Sequence, residues 1–126
     1  MTDKPKGEIT IQTLAMPADT NANGDIFGGW LVSQMDLAAG VLAKKIAQGR
    51  VATVAIHSMT FLRPVHVGDV ISCYVELLKK GYTSMTIAVE VWTELLSTND
   101  RYRVTEGTFV FVALDENGGP RSLPVA

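Results

Sequence analysis

The stretch from Gly28 to about Ala47 constrains this chain more than any other. It reads as one long helix ended by Gly49, and most of its positions are apolar or small: Leu31, Val32, Met35, Leu37, Ala38, Ala39, Val41, Leu42, Ala43, Ile46 and Ala47. A helix apolar on nearly all sides is a buried one, so the remaining chain must wrap it. Asp36 stands in its middle. At helical spacing its neighbours are Val32, Ala39, Gly40 and Ala43, which places no cation three or four residues away. A buried carboxylate without a partner is expensive. Asp36 therefore either reaches a groove or a structural hydrogen bond, or faces a ligand that lies against the small residues around it.

The segment before the helix, Asn21-Ala22-Asn23-Gly24-Asp25-Ile26-Phe27, is turn chemistry. It delivers Gly28-Gly29 to the helix start, where free N–H groups and the positive end of the dipole suit a carbonyl or an oxyanion. Gly28 and Asp36 are eight residues apart. At about 1.5 Å of rise per residue they stand roughly 12 Å apart along the axis. A carbonyl bound at the tip is out of reach of the carboxylate on the same helix. If both serve one reaction, two copies of the helix must run antiparallel and share their ends, which predicts a two-fold dimer.

Around this helix the chain is strand-like. Ile9–Leu14 alternates apolar and polar, and Val51–Phe61, Asp69–Lys79, Tyr82–Leu95 and Arg101–Leu114 are rich in Val, Ile, Thr, Tyr and Phe. Lys79-Lys80-Gly81 reads as a hairpin turn, Ser97–Asp100 as a loop, and the tail from Glu116 as turn without a further element. Short connections favour antiparallel pairing. The fold class is α+β: a curled antiparallel sheet wrapped around one long central helix, a single domain over 1–126.

Composition excludes several classes. Eleven basic residues against 13 acidic give no support to nucleic-acid binding. Lone Cys73 leaves no internal disulfide, and no Cys/His cluster suggests a metal. The first eight residues lack the apolar core of a signal peptide, and no apolar run approaches the ~20 residues that span a bilayer. The expectation is a cytoplasmic protein without metal or organic cofactor.

Neither His57 nor His66 falls in a visible Ser/His/Asp or Cys/His arrangement, Ser33 lies in no nucleophile-elbow pattern, and Cys73 reads as a small core residue. Asp36 remains the best base, with Asn21 as a polar group able to hold a water or a carbonyl. A carboxylate that activates water or attacks directly, beside a helix tip that steadies an oxyanion, suits acyl transfer and particularly thioester hydrolysis. Arg50, Arg63, Lys79 and Lys80 lie near strand ends or turns, where a phosphate-bearing ligand would need some of them.

Met16–Trp30 followed by Ser33-Gln34-Met35-Asp36, then Phe61-Leu62-Arg63-Pro64-Val65 and Val67-Gly68-Asp69, closely resembles the hotdog-fold acyl-coenzyme A thioesterases, in their YciA-like branch. The resemblance covers nearly the whole chain. It implies a curled sheet around one helix, acyl-CoA as substrate and CoA as product. It also implies a homodimeric unit, commonly tripled into a hexamer. Asp36 would be the catalytic carboxylate, Gly28 the residue whose N–H polarises the thioester carbonyl, and Asn21 a group that positions the nucleophile across the dimer interface. Gly29, Arg63 and the turn Lys80, Gly81, Tyr82, Thr83 and Ser84 would contact coenzyme A. Many relatives carry His before the Gly-Gly pair; Phe27 stands there in this chain, so no histidine serves at that point. Two other readings fit the same residues: a hotdog dehydratase or hydratase, which needs an acid beside the base, and a non-catalytic acyl-CoA-binding module.

Overall fold

The computed structural model describes residues 4–95, 97–98 and 100–125. In order they form β1 (Glu8–Leu14), a 3-10 turn (Pro17–Asp19), α1 (Gly28–Ala47), β2 (Val51–Phe61), β3 (Val70–Lys80), β4 (Ser84–Leu95) and β5 (Asp100–Ala113). The strands make one antiparallel sheet in the order β1-β3-β4-β5-β2, with α1 against one face. This is the curled sheet and central helix that the sequence predicts.

The helix seats itself through a row at four-residue spacing, Leu31, Met35, Ala39, Ala43 and Ala47, joined by Ala38, all buried. Such a row forms a ridge on the helix surface, and its alanines let the sheet approach closely. Opposite it, alternate residues of the strands point inward: Ile71, Cys73 and Val75 from β3, Met85, Ile87, Val89 and Val91 from β4, Phe109, Phe111 and Ala113 from β5. Removing such a side chain from water contributes about 1.5–3 kcal/mol for Val, Leu, Ile, Phe or Met.

The structure corrects four details. The helix is not enclosed by its own chain: Ser33, Leu37, Lys44 and Lys45 face outward, and Leu37 is 59% exposed. Its C-terminus is closed by Gln48, which adopts the left-handed conformation (φ 56°) and donates its N–H to the Lys44 carbonyl. Gly49 is needed for a different reason. A side chain there would stand 2.8 Å from the Arg121 guanidinium, which crosses to donate to the carbonyls of Ala47 (2.8 Å) and Leu114 (2.9 Å). Arg121 thus occupies a carbonyl that the helix end leaves without a partner, and ties the tail to it. Finally, Lys79 and Lys80 belong to β3 and Ser84 opens β4, so the hairpin turn is Gly81–Thr83, closed by the Gly81 N–H on the Ser84 carbonyl.

Of the loop expected over Ser97–Asp100, Asn99 lies outside the described residues and Asp100 already opens β5, while the reading of the first eight residues falls partly on 1–3, also outside them. Among the described residues no helix is long and apolar enough to cross a membrane.

Two outcomes follow from this packing. Arg121→Ala strips charged hydrogen bonds from two carbonyls and lowers the stability measured by urea unfolding, at fixed protein concentration, by about 2 kcal/mol. Cys73 is fully buried and its thiol is pushed up to about 12 by desolvation. The folded protein therefore resists iodoacetamide at pH 8.5. Because the fold favours the neutral thiol, the group leaves stability untouched below the unfolded pKa of about 9 and withdraws it as pH rises further.

Candidate active site

Asp36 lies at the border between the seated ridge and the open side of α1, one position after fully buried Met35 and one before Leu37. It is half-buried, which relieves the anomaly of a charge deep in an apolar helix. Its partner is a hydroxyl: Thr53 Oγ1 on β2 donates to Asp36 Oδ1 at 2.5 Å. A hydroxyl has one proton to donate, so the bond engages a single carboxylate oxygen. It fixes one carboxylate oxygen and leaves the other to accept a proton.

Asn21 organises the loop that leads into the helix. Its Oδ1 accepts the N–H groups of Asn23 (2.9 Å) and Asp25 (3.2 Å), its own N–H donates to the Asp25 carbonyl (2.7 Å), and Gly24 donates back to the Asn21 carbonyl (3.0 Å). With both lone pairs of Oδ1 engaged, what Asn21 offers a ligand is its amide N–H₂. The loop is pinned further by Phe27 N–H on Asp19 and Ile26 N–H on Val65. These bonds set the direction in which α1 begins.

Gly28 opens into a groove of about 350 Å³ with Ile26, Leu31, Phe61, Leu62, Arg63, Pro64 and Val65. The first N–H groups of a helix have no intrahelical partner; Trp30 finds one in the Phe27 carbonyl. Gly29 is exposed beside it. Arg63 stacks its guanidinium over Tyr102, 4.7 Å from the ring centre, and borders a second groove with Pro64, His66 and Tyr102.

The structure brings Gly28 and Arg63 together and sets the turn carrying Lys80, Gly81, Tyr82, Thr83 and Ser84 elsewhere. Phe61 pairs with Thr105, and Ser84 with Val112. Those points lie seven residues apart on β5, roughly 23 Å at about 3.3 Å per residue. The turn is held instead by the tail, through Leu123 N–H on the Tyr82 carbonyl and Lys80 Nζ on the Pro124 carbonyl. Within one chain it shares no site with Gly28.

Other nucleophiles and bases stay apart from this chemistry. The Ser33 hydroxyl donates to the Trp30 carbonyl at 2.6 Å, Cys73 is buried, and His57 is exposed on the edge strand β2. His66 lies 3.9 Å from the Asp25 carboxylate. Among the described residues no three His, Cys, Asp or Glu side chains converge on a metal position. Thr53 is the residue that sequence reasoning missed. Its strand was plain, but nothing in the pattern said which strand residue would cross the middle of the helix.

Comparison with known proteins agrees with this architecture. The thioesterase superfamily matches residues 23–96. The acyl-CoA thioester hydrolases named YciA of Salmonella typhimurium and Escherichia coli K12 are each 56% identical to this chain, the first over 99% of this chain and 96% of its own length, the second over 96% and 94%. A hexameric thioesterase from Yersinia pestis superposes with a TM-score of 0.93 at 57% identity, covering 98% of this chain and all of its own. An acyl-CoA hydrolase of Staphylococcus aureus, solved with butyryl coenzyme A and coenzyme A, superposes with a TM-score of 0.84 at 30% identity, covering 90% of this chain and 70% of its own. The chain belongs to the thioesterase superfamily, in the hotdog-fold group that includes YciA.

Proposed function

We propose that this protein hydrolyses acyl-coenzyme A thioesters to a free carboxylic acid and coenzyme A, at sites shared between two protomers. The observation that carries the reading is the carboxylate of Asp36, held by Thr53 in the middle of a largely apolar helix, on a scaffold shared with acyl-CoA thioester hydrolases. The thioester oxygen accepts the Gly28 N–H of one protomer, and Asp36 of its partner faces the carbonyl carbon. The amide of Asn21 steadies the water. Asp36 takes a proton as that water adds to the carbon; the carbon–sulfur bond then breaks, and the departing thiolate recovers the proton. No metal or organic cofactor is required by these steps.

The axial distance between Gly28 and Asp36 requires the two-fold arrangement. The outward-facing Leu37, together with Val54 and Ile56 on the unpaired edge of β2, supplies apolar surface for it. The whole chain acts as one domain, and three such dimers form a hexamer like that of the Yersinia protein. In this assembly the antiparallel helices bring the turn Gly81–Thr83 of one protomer toward the Arg63 end of the other. There Gly29, Arg63, Lys80, Gly81, Tyr82, Thr83 and Ser84 hold coenzyme A. We place the reaction in the cytoplasm, where the lone cysteine stays reduced.

Thiol release from a panel of acyl-CoA esters tests the reading. Asp36→Ala lowers kcat by about 10²–10⁴-fold, the range of general base catalysis, with the hexamer retained on size exclusion; near-normal turnover would refute the assignment. Thr53→Val lowers kcat roughly ten- to a hundredfold, as loss of a hydrogen bond to a charge implies, with little change in KM. Thr53→Ser restores the bond and most of the rate, whereas a merely structural role for Thr53 would let Val, its near-isostere, serve as well.

A further inference from the structure

The groove at the tip of α1 has a ceiling. Phe61, the last residue of β2, lies with its ring directly over Gly28: its Cζ and Cε1 atoms are 3.2 and 3.3 Å from the point where a Cβ on Gly28 would stand. The ring is brought there by a bulge. Between His57 and Thr60 the pairing of β2 with β5 shifts, Ser58 takes a positive φ of 54°, and Met59 turns inward onto Gly107, where a Cβ would meet its methyl at 2.8 Å. A bulge redirects the side chains beyond it, and here it aims Phe61, two residues after Met59, at the helix. The backbone beyond is then clamped, because Leu62 and Arg63 both donate their N–H groups to the Val104 carbonyl. The position of the ring is therefore set by bonded backbone on both sides, while Phe61 is 52% exposed and lines the groove.

We propose that Phe61 is the specificity-determining residue for the acyl group, and that it limits the bulk tolerated beside the thioester carbonyl. This rests on the reading that the Gly28 N–H holds the carbonyl oxygen. A carbon attached to a carbonyl so placed must pass the edge of the Phe61 ring. The wall also carries the apolar side chains of Ile26, Leu31, Leu62 and Val65, which suit an acyl chain, and is completed by Arg63 and Pro64. Arg63 stacks its guanidinium over Tyr102 at the border of this groove and the next. Straight chains can run along this wall; a branch or a ring next to the carbonyl collides with Phe61.

The test compares wild type, Phe61→Ala and Phe61→Trp on n-butyryl-, isobutyryl- and benzoyl-coenzyme A. Each protein is first matched to wild type by circular dichroism and size exclusion, and kcat/KM is read from thiol release. Phe61→Ala raises the benzoyl-to-butyryl and isobutyryl-to-butyryl ratios by about tenfold or more, the scale set by one or a few methylenes in an apolar pocket, and Phe61→Trp lowers them. If the alanine variant fails to fold, Phe61→Leu carries the same measurement. Unchanged ratios overturn the role of Phe61 and leave the hydrolase reading standing. A uniform rise in KM with unchanged ratios overturns it too, by placing the ring against the pantetheine arm. A wild type inert toward every ester would instead sink the reading on which the inference rests.

Discussion

The seating of α1 on the sheet governs everything else in this molecule. The row Leu31-Met35-Ala39-Ala43-Ala47 fixes the rotation of the helix, since only that row presents small enough side chains along most of its length for the sheet to close against it. Once the rotation is fixed, Asp36 must come to rest at the border of the seated face, where β2 can reach it. A helix turned by one residue would bury the carboxylate outright or expose it fully. Neither position would allow the Thr53 hydroxyl to meet it. The position of Asp36 is thus a by-product of the packing of its own helix, from Met35 beside it to Ala47 about three turns on.

That same rigidity divides the chemistry. A straight helix cannot bring its tip and its middle together, so in the reaction we propose the Gly28 N–H and the Asp36 carboxylate each supply half of a site from different chains. Association of two chains answers this constraint, and the surface left open is suited to it. Leu37 on the helix and Val54 and Ile56 on the edge strand are apolar and uncovered, and an edge strand with unpaired backbone groups invites pairing with another copy. The apolar character that made the helix look buried on every side was real; its own sheet covers only part of it.

Much of this was legible in the chain. The bounds of α1 and β2 fall where composition and punctuation place them, because the helix is long and periodic and each strand is bracketed by turn residues. The roles we propose for Asp36 and Gly28 rest, in the sequence, on one charge in an apolar stretch and one pair of glycines. What sequence could not supply was register. Whether Thr53 or a neighbour meets Asp36 depends on two irregularities in the pairing of β2 with β5, one after Thr53 and one at Ser58, and neither residue advertises a bulge. β3 was given its right length but placed one residue early, for a related reason: Lys79 and Lys80 look like turn residues but sit on a strand whose neighbour supplies the pairing. Gly49 was read as the helix terminator, but Gln48 closes the helix; what stands beside Gly49 is the Arg121 guanidinium, which arrives from the far end of the chain.

The edge strand β2 emerges as the element on which function converges. Its first half carries Thr53 to the carboxylate, its middle exposes Val54 and Ile56, and its last residue lays Phe61 over the helix tip. A strand at a sheet edge is paired on one side only, which makes it easy to accommodate two register shifts and a residue at positive φ, Ser58, within β2. Those irregularities are what allow one short strand to address a carboxylate, a partner and a ligand groove in turn. The proposed reaction and the proposed dimer are coupled for the same reason: any change that straightens β2 would move Thr53 and Phe61 together, along with the exposed Val54 and Ile56.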